Sequence, residues 1–405
     1  MRRTACMIAL ALGASACAAD PDADVADASS DADASSDDDG DVDPSSGGPR
    51  PGGDTGEEGP AGSTSGGGTT EGGEEDESST GQPLRPAGTP VFVSIAHGGQ
   101  TARTCDGGAT WTDFHDFGPQ DDHSDYAAFG GITYGNGAFV AATGWGAPGH
   151  VLRSEDGLTW DDRPDSAFTN AKGMAVRPNS ASGVEFTGED FVLFAGPALW
   201  RSVDGLQWVE QTPDSLSFEG HFREIEFLPE PGLLLIAMQT KQADPWRVQV
   251  SDDSGHTFAI GTGATDACVG WVQHAGGFAG FGDRLLLAGG AGPTCLSDDR
   301  GLTWFSGADL GVSVADVESN ADGFVALGGD GSVHTSADGE SWTPVGQSGL
   351  EEGRLSWADD IGFVGADVGY VHAPDVGGWL ASSTQPPRGF GGVREFARGY
   401  VDDCP

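Results

Sequence analysis

From Thr89 onward, short apolar stretches alternate with glycine-rich polar turns, and the alternation repeats. One apolar stretch returns in nearly the same form. It reads AFVAATG (Ala138–Gly144), DFVLFAG (Asp190–Gly196), GLLLIAMQ (Gly232–Gln239), RLLLAGG (Arg284–Gly290) and GFVALGG (Gly323–Gly329). Bounded by Gly and polar residues, each reads as a β-strand. A shorter stretch precedes it, GITYG (Gly131–Gly135) in the second unit, and a third, HVLRSED, follows. Each unit then passes through a polar turn to an aromatic residue. Those turns are TCDGGATW (Thr104–Trp111), SEDGLTW (Ser154–Trp160), SVDGLQW (Ser202–Trp208), SDDSGHTF (Ser251–Phe258), SDDRGLTW (Ser297–Trp304) and SADGESW (Ser336–Trp342). Their starts lie 50, 48, 49, 46 and 39 residues apart, which is the length of a four-stranded unit. A seventh unit is degenerate: RLSWADD, GFVGADVG, then YVHAPDVGGW ending in Trp379, with Asp375 and Gly377 in the place of the turn.

Three of the turns match S/T-x-D-x-G-x-T-W/F, and three are one residue shorter. The pattern resembles the Asp-box of sialidases and other β-propellers. The resemblance implies an all-β fold: a seven-bladed β-propeller of four-stranded antiparallel blades spanning residues 89–405. In such a turn Asp accepts backbone N–H bonds, Gly supplies a positive φ, Ser or Thr adds a local hydrogen bond, and the aromatic packs between neighbouring sheets. Asp106, Asp156, Asp204, Asp253, Asp299 and Asp338 are therefore expected to serve folding rather than catalysis.

The first unit opens at PVFVSIAHGG and lacks an inner strand. The C-terminal FGGVREFARGYV (Phe390–Val401) aligns without gaps on FGGITYGNGAFV (Phe129–Val140), so the tail is expected to supply it and close the ring. Closure removes exposed sheet edges. Beyond the N-terminal segment, four cysteines allow three pairings. Cys105–Cys404 with Cys268–Cys295 is the pairing that agrees with closure, and it implies an oxidising compartment.

Ahead of the repeats, residues 1–16 read as an export signal. Arg2 and Arg3 are followed by a short apolar run from Cys6 to Leu12 and by Ala14-Ser15-Ala16, too short an apolar stretch for a membrane span. The stretch LGASAC resembles a bacterial lipobox, which implies lipidation of Cys17, although Ala14 stands where Leu is usual. The same small residues also fit an ordinary A-x-A cut. From Cys17 to Gly88 the chain is Asp, Ser, Gly and Glu with hardly a large apolar residue, and Ala18–Gly88 holds 19 acidic residues against two arginines. Such a segment cannot offset its ordering entropy by burial, so a disordered, extended tether is expected. Its Asp residues lack the spacing of a calcium loop, so no cofactor is expected.

Charge narrows the partners. The 405 residues carry a formal net charge of -44, and the repeats alone hold 15 basic against 44 acidic residues. Phosphate backbones and anionic lipid are repelled by such a surface, which excludes nucleic acid and leaves a lipid anchor as the only route to a membrane. The 67 glycines belong to turn-rich β structure rather than to helical bundles.

Chemistry is harder to find. The sialidase resemblance would imply three arginines on a carboxylate, a Tyr nucleophile backed by Glu, and an Asp acid/base. The Arg-Ile-Pro motif is missing, and Tyr126, Tyr134, Tyr370 and Tyr400 have no obvious partner in sequence. Arg103, Arg153, Arg201 and Arg247 are read as third-strand positions just before the turns, far from a propeller's channel. Asp359 and Asp360, or Glu224 and Glu226, are candidate acid pairs at blade mouths. No phosphate loop, His-Glu-x-x-His motif or nucleophile elbow occurs. The connections opposite the boxes are the expected binding face. They carry His115, Asp121, Asp122, His123 and Asp125, a possible metal set, and Trp145 and Trp246, suited to protein contact or sugar stacking. Trp200, Trp271 and Trp357 read as core. The expectation is a monomeric, exported module that binds protein, or alternatively binds or cleaves glycan, on a bacterial outer membrane or cell surface, or else free in the periplasm or medium.

Overall fold

The computed structural model describes residues 88–96, 99–115, 130–144, 149–217, 221–239, 247–262, 276–351, 353–359, 361–387 and 392–404. The chain divides into two units, Met1–Ser79 and Thr80–Pro405. The signal, Cys17 and the tether up to residue 87 lie outside the described residues. Among those described, seven sheets form a seven-bladed β-propeller. We number blades along the chain and letter strands a to d from the channel outward.

In every blade strand b is the apolar stretch that repeats. Its unbroken hydrophobicity follows from burial on both faces. In blade 2, strand b (Ala138–Thr143) is buried at every position. Phe139 and Ala141 face blade 1, while Val140 and Ala142 face blade 3. The same alternation produces seven core clusters, each shared by two consecutive blades, so the core is a ring of interfaces rather than a centre.

Blade 1 closes the ring as the tail alignment predicts. Its strand a is Val393–Val401, paired antiparallel with strand b, Thr89–Ala96, from Thr89 opposite Val401 to Ala96 opposite Val393. Gln100–Thr104 and Thr112–His115 complete it. Cys404 is bonded to Cys105 within the first box turn. Both ends of the domain thus meet beside that turn, on the box face. Blade 3 carries one addition, Phe168–Thr169, which pairs in parallel with its outermost strand.

The boxes behave as local physics requires. Asp156 Oδ1 accepts the N–H groups of Leu158 (2.8 Å) and Thr159 (2.7 Å), and Ser154 Oγ accepts that of Gly157 (2.8 Å). The longer boxes use a Thr four residues on: Asp299 takes the Thr303 N–H at 2.7 Å and its hydroxyl at 2.6 Å. The decayed seventh turn keeps one such bond, Gly377 N–H to Asp375 Oδ1 at 2.9 Å.

Each box also docks on the blade before it. Its aromatic joins the cluster shared with that blade, as Trp208 joins Val140, Ala142 and Val151. Its carbonyl accepts an arginine from that blade in four cases. Arg103 Nη1 reaches Asp156 O (2.8 Å), Arg153 Nε reaches Asp204 O (2.8 Å), Arg201 Nη2 reaches Ser254 O (2.6 Å) and Arg284 Nη1 reaches Asp338 O (2.7 Å). Arg103, Arg153 and Arg201, from the strands just before the boxes, and Arg284, from a second strand, are inter-blade clamps. Arg247 departs from the sequence reading: it opens its strand, Arg247–Ser251, at the end away from the box.

Candidate functional site

The innermost strands line the channel: Val393–Val401, Gly131–Gly135, Ala181–Phe186, His221–Leu228, Gly277–Phe281, Val314–Asn320 and Arg354–Ala358. Four of them carry six carboxyl groups: Glu395, Glu185, Glu224 with Glu226, and Asp316 with Glu318. Pairing with strand b sorts these into two layers. Glu185, Glu226 and Glu318 stand opposite Val192, Leu235 and Val325, and form the layer nearer the box face. Glu224, Asp316 and Glu395 stand two residues earlier in their strands and form the other layer.

Arg354 belongs to the second layer. Its Nη1 lies 3.2 Å from Asp316 Oδ1 and its Nη2 3.7 Å from Glu224 Oε2. The other Asp316 oxygen accepts the Leu355 N–H at 2.7 Å. Asp316 thereby bridges blades 6 and 7.

The channel keeps these groups in touch with water while protein surrounds them, and enclosure resists ionisation. Burial pushes Glu224 up to about 8, against the pull of Arg354. It raises Glu395 to about 7 and Asp316 to about 6, again opposed by Arg354. Glu185, Glu226 and Glu318 are driven well above the usual carboxylate range, by burial first and then by neighbouring carboxyls. Burial thus favours the neutral acid form across the cluster, most for Glu185, Glu226 and Glu318 and least for Asp316.

A cavity of about 330 Å³ opens at the box-face mouth of the channel, bordered by Glu185, Glu226, Glu395, Tyr134, Phe186 and Arg398. Arg398 lies 5.6 Å from the centre of the Tyr400 ring and donates to the Tyr400 hydroxyl at 3.0 Å. Among the described residues no group of three or more His, Cys, Asp or Glu is placed to hold a metal ion.

The residues named from sequence fare unevenly. The six box aspartates sit in their turns, away from the channel. Hydrogen bonding lowers each of them, as for Asp156, where bonds from Thr159, Leu158 and Ser154 outweigh partial burial. Glu224 and Glu226 are not at a blade mouth but on an innermost strand. Asp359 is exposed and accepts the Trp357 indole N–H at 3.0 Å; Asp360 is outside the described residues. His115 ends the outermost strand of blade 1, exposed. Asp121, Asp122, His123, Asp125, Trp145, Trp246, Trp271 and Cys268 lie outside the described residues. Cys295 is disulfide-bonded. Trp200 is core, and Trp357 is half-buried on an innermost strand. Glu185, Asp316, Glu318, Arg354 and Glu395 were not singled out by sequence. Their signal is positional: with the repeats in frame, Glu185, Glu226 and Glu318 fall at one repeat position.

No family model matches the chain, and no curated protein matches it. Solved structures do resemble it. YCF48 bound to D1 peptide is 20% identical over 64% of this chain and 82% of that one, with a TM-score of 0.45. YCF48 from Cyanidioschyzon merolae is 12% identical over 69% and 93%, with a TM-score of 0.47. The GH74 xyloglucanase from Xanthomonas campestris is 13% identical over 78% of this chain and 53% of that one, with a TM-score of 0.49. At these identities the likeness concerns the fold alone.

Proposed function

We propose that this protein is an exported binding module that presents a seven-bladed propeller to a basic protein or peptide. The supporting observation is where the chain enters. Strand b of blade 1 begins on the box face beside the Cys105–Cys404 bond, and the boxes on that face are taken up in packing between blades, which favours the opposite face for a partner. The acidity of the repeats makes a basic partner the favoured one. In this reading residues 1–16 direct export, Cys17 carries a lipid on the outer membrane or cell surface, and residues 17–88 are the spacer. Fatty-acid labelling that survives Cys17→Ser would remove the anchor from the proposal. The binding claim is tested by passing the purified protein over basic, acidic and neutral peptide panels at two salt concentrations. Binding confined to basic peptides and weakened by salt is expected; equal binding to all three panels, or to none, contradicts it.

A second reading has one observation in its favour. Glu224 and Asp316 share Arg354, yet burial holds them at about 8 and about 6, so at neutral pH one is largely protonated and the other largely ionised. That split is what acid/base glycoside hydrolysis uses. Turnover of a glycan panel that disappears in Glu224→Gln would favour a glycoside hydrolase; absence of turnover would end that reading.

A further inference from the structure

Among the described residues the innermost strands carry six carboxyl groups against three arginines, Arg354, Arg394 and Arg398. Six converge from four innermost strands, and Arg354 is the one that bridges two of them, Glu224 and Asp316. The other charged groups on these strands are Arg394, exposed at the start of its strand, and Arg398, placed against Tyr400. The side chain of Arg223 lies outside those described, and the innermost strands of blades 2 and 5, GITYG and GFAGF, contribute no Asp, Glu, Lys or Arg. Among the described residues Arg354 ties blades 6 and 7 through Asp316 and blades 4 and 7 through Glu224, and it also faces Glu395.

We propose that this channel is a proton-dependent lock on the ring, in which neutral carboxyl groups let the innermost strands stand close together and their ionisation forces those strands apart. The physical reason is like-charge repulsion among groups that protein surrounds and salt screens poorly. The layer of Glu185, Glu226 and Glu318 has the most to lose, since Arg354 serves the other layer. The lock therefore weakens as the medium turns from mildly acidic to mildly alkaline, and the propeller loosens at its axis before its outer strands.

The sign follows from linkage. These groups bind protons more tightly folded than unfolded. Their contribution is fully present below the unfolded carboxyl value of about 4.3 and is lost as pH rises through the folded values. Those values are about 6 for Asp316, about 7 for Glu395 and about 8 for Glu224. Ordinary surface carboxylates are already ionised in both states across this window, so they leave it clear.

The test is thermal unfolding of the full chain between about pH 5.5 and about pH 8.5 at constant ionic strength, comparing wild type with the Glu226→Gln/Glu318→Gln double variant. The wild type should lose on the order of 5 °C in Tm across the window, and the variant should lose markedly less and be the more stable at the alkaline end. Should the double variant fail to fold, infrared titration of the wild type decides. A carboxylic-acid C=O band that persists at neutral pH and vanishes in mild alkali supports the lock. A wild-type Tm that stays level or rises with pH overturns it, as does a variant that falls as steeply, or the absence of that band at neutral pH.

Discussion

At the scale of single residues, the box glycines carry two demands at once. Gly157 has φ +71°, and a Cβ there would stand 2.7 Å from Val93 Cγ2 on the preceding blade. Gly137, in the hairpin between strands a and b of blade 2, has a similar φ of +78° but open space around it. Both should resist substitution through the backbone, by about 1 kcal/mol, and only Gly157 should add a packing cost of about 1–3 kcal/mol. Chemical denaturation of Gly157→Ala and Gly137→Ala should separate the two effects. Equal losses would mean that the approach between blades is not tight. The box aspartates are lowered by their turn hydrogen bonds, so their contribution is present above the unfolded value and fades as pH falls below about 4. With the channel acids acting in the opposite sense, stability should be greatest in mildly acidic solution.

Among the elements, the box is an interlocking part rather than a turn alone. It seats its aromatic in the previous interface and offers its carbonyl to the previous blade's arginine. Arg201 is the most committed of the clamps. It donates from Nη1 to both oxygens of Asp190 at 2.9 Å and from Nη2 to Ser254 O at 2.6 Å, with its side chain only 4% exposed. Replacing it with Met keeps the bulk but leaves Asp190 without its cation, and should cost about 3 kcal/mol by urea unfolding. A loss under about 1 kcal/mol would reduce the clamp to an ordinary surface pair.

Much of this level was legible. The repeat spacing, the doubly buried strand b and the tail strand all appear in the sequence, because a blade's hydrogen bonds and turns are local. Three of the clamps, Arg103, Arg153 and Arg201, were seen as residues but not as contacts, and Arg284 was not singled out, since each partner lies some fifty positions away. Of the channel acids, Glu224 and Glu226 were named but placed at a blade mouth, and Glu185, Asp316, Glu318 and Glu395 were missed, for a related reason. A carboxylate at a strand position looks like solvated surface until seven strands are brought to one axis. Only the repeat frame, which stacks Glu185 on Glu226 and Glu318, hints at it.

For the whole molecule, the closing clasp is the weak place and also the reinforced one. Blade 1 is assembled from both ends of the domain, with Val393–Val401 held by strand pairing and by the Cys105–Cys404 bond across a separation of 299 residues. A chain-entropy account assigns a loop of that size about 4–5 kcal/mol. Cys404→Ser should lower stability by an amount of this order and expose residues 393–401 to proteolysis first. Cleavage that begins elsewhere would place the weakest seam at another blade.

The box face serves folding, and the proposed function places the partner on the opposite face. Hydrogen–deuterium exchange of the protein with and without a basic peptide selected from the panel tests that division most directly. Protection is predicted at the ends of strands opposite the boxes, around His115, His150 and Arg247, with the box turns unchanged. Protection centred on the box turns, or spread evenly over the ring, would contradict it.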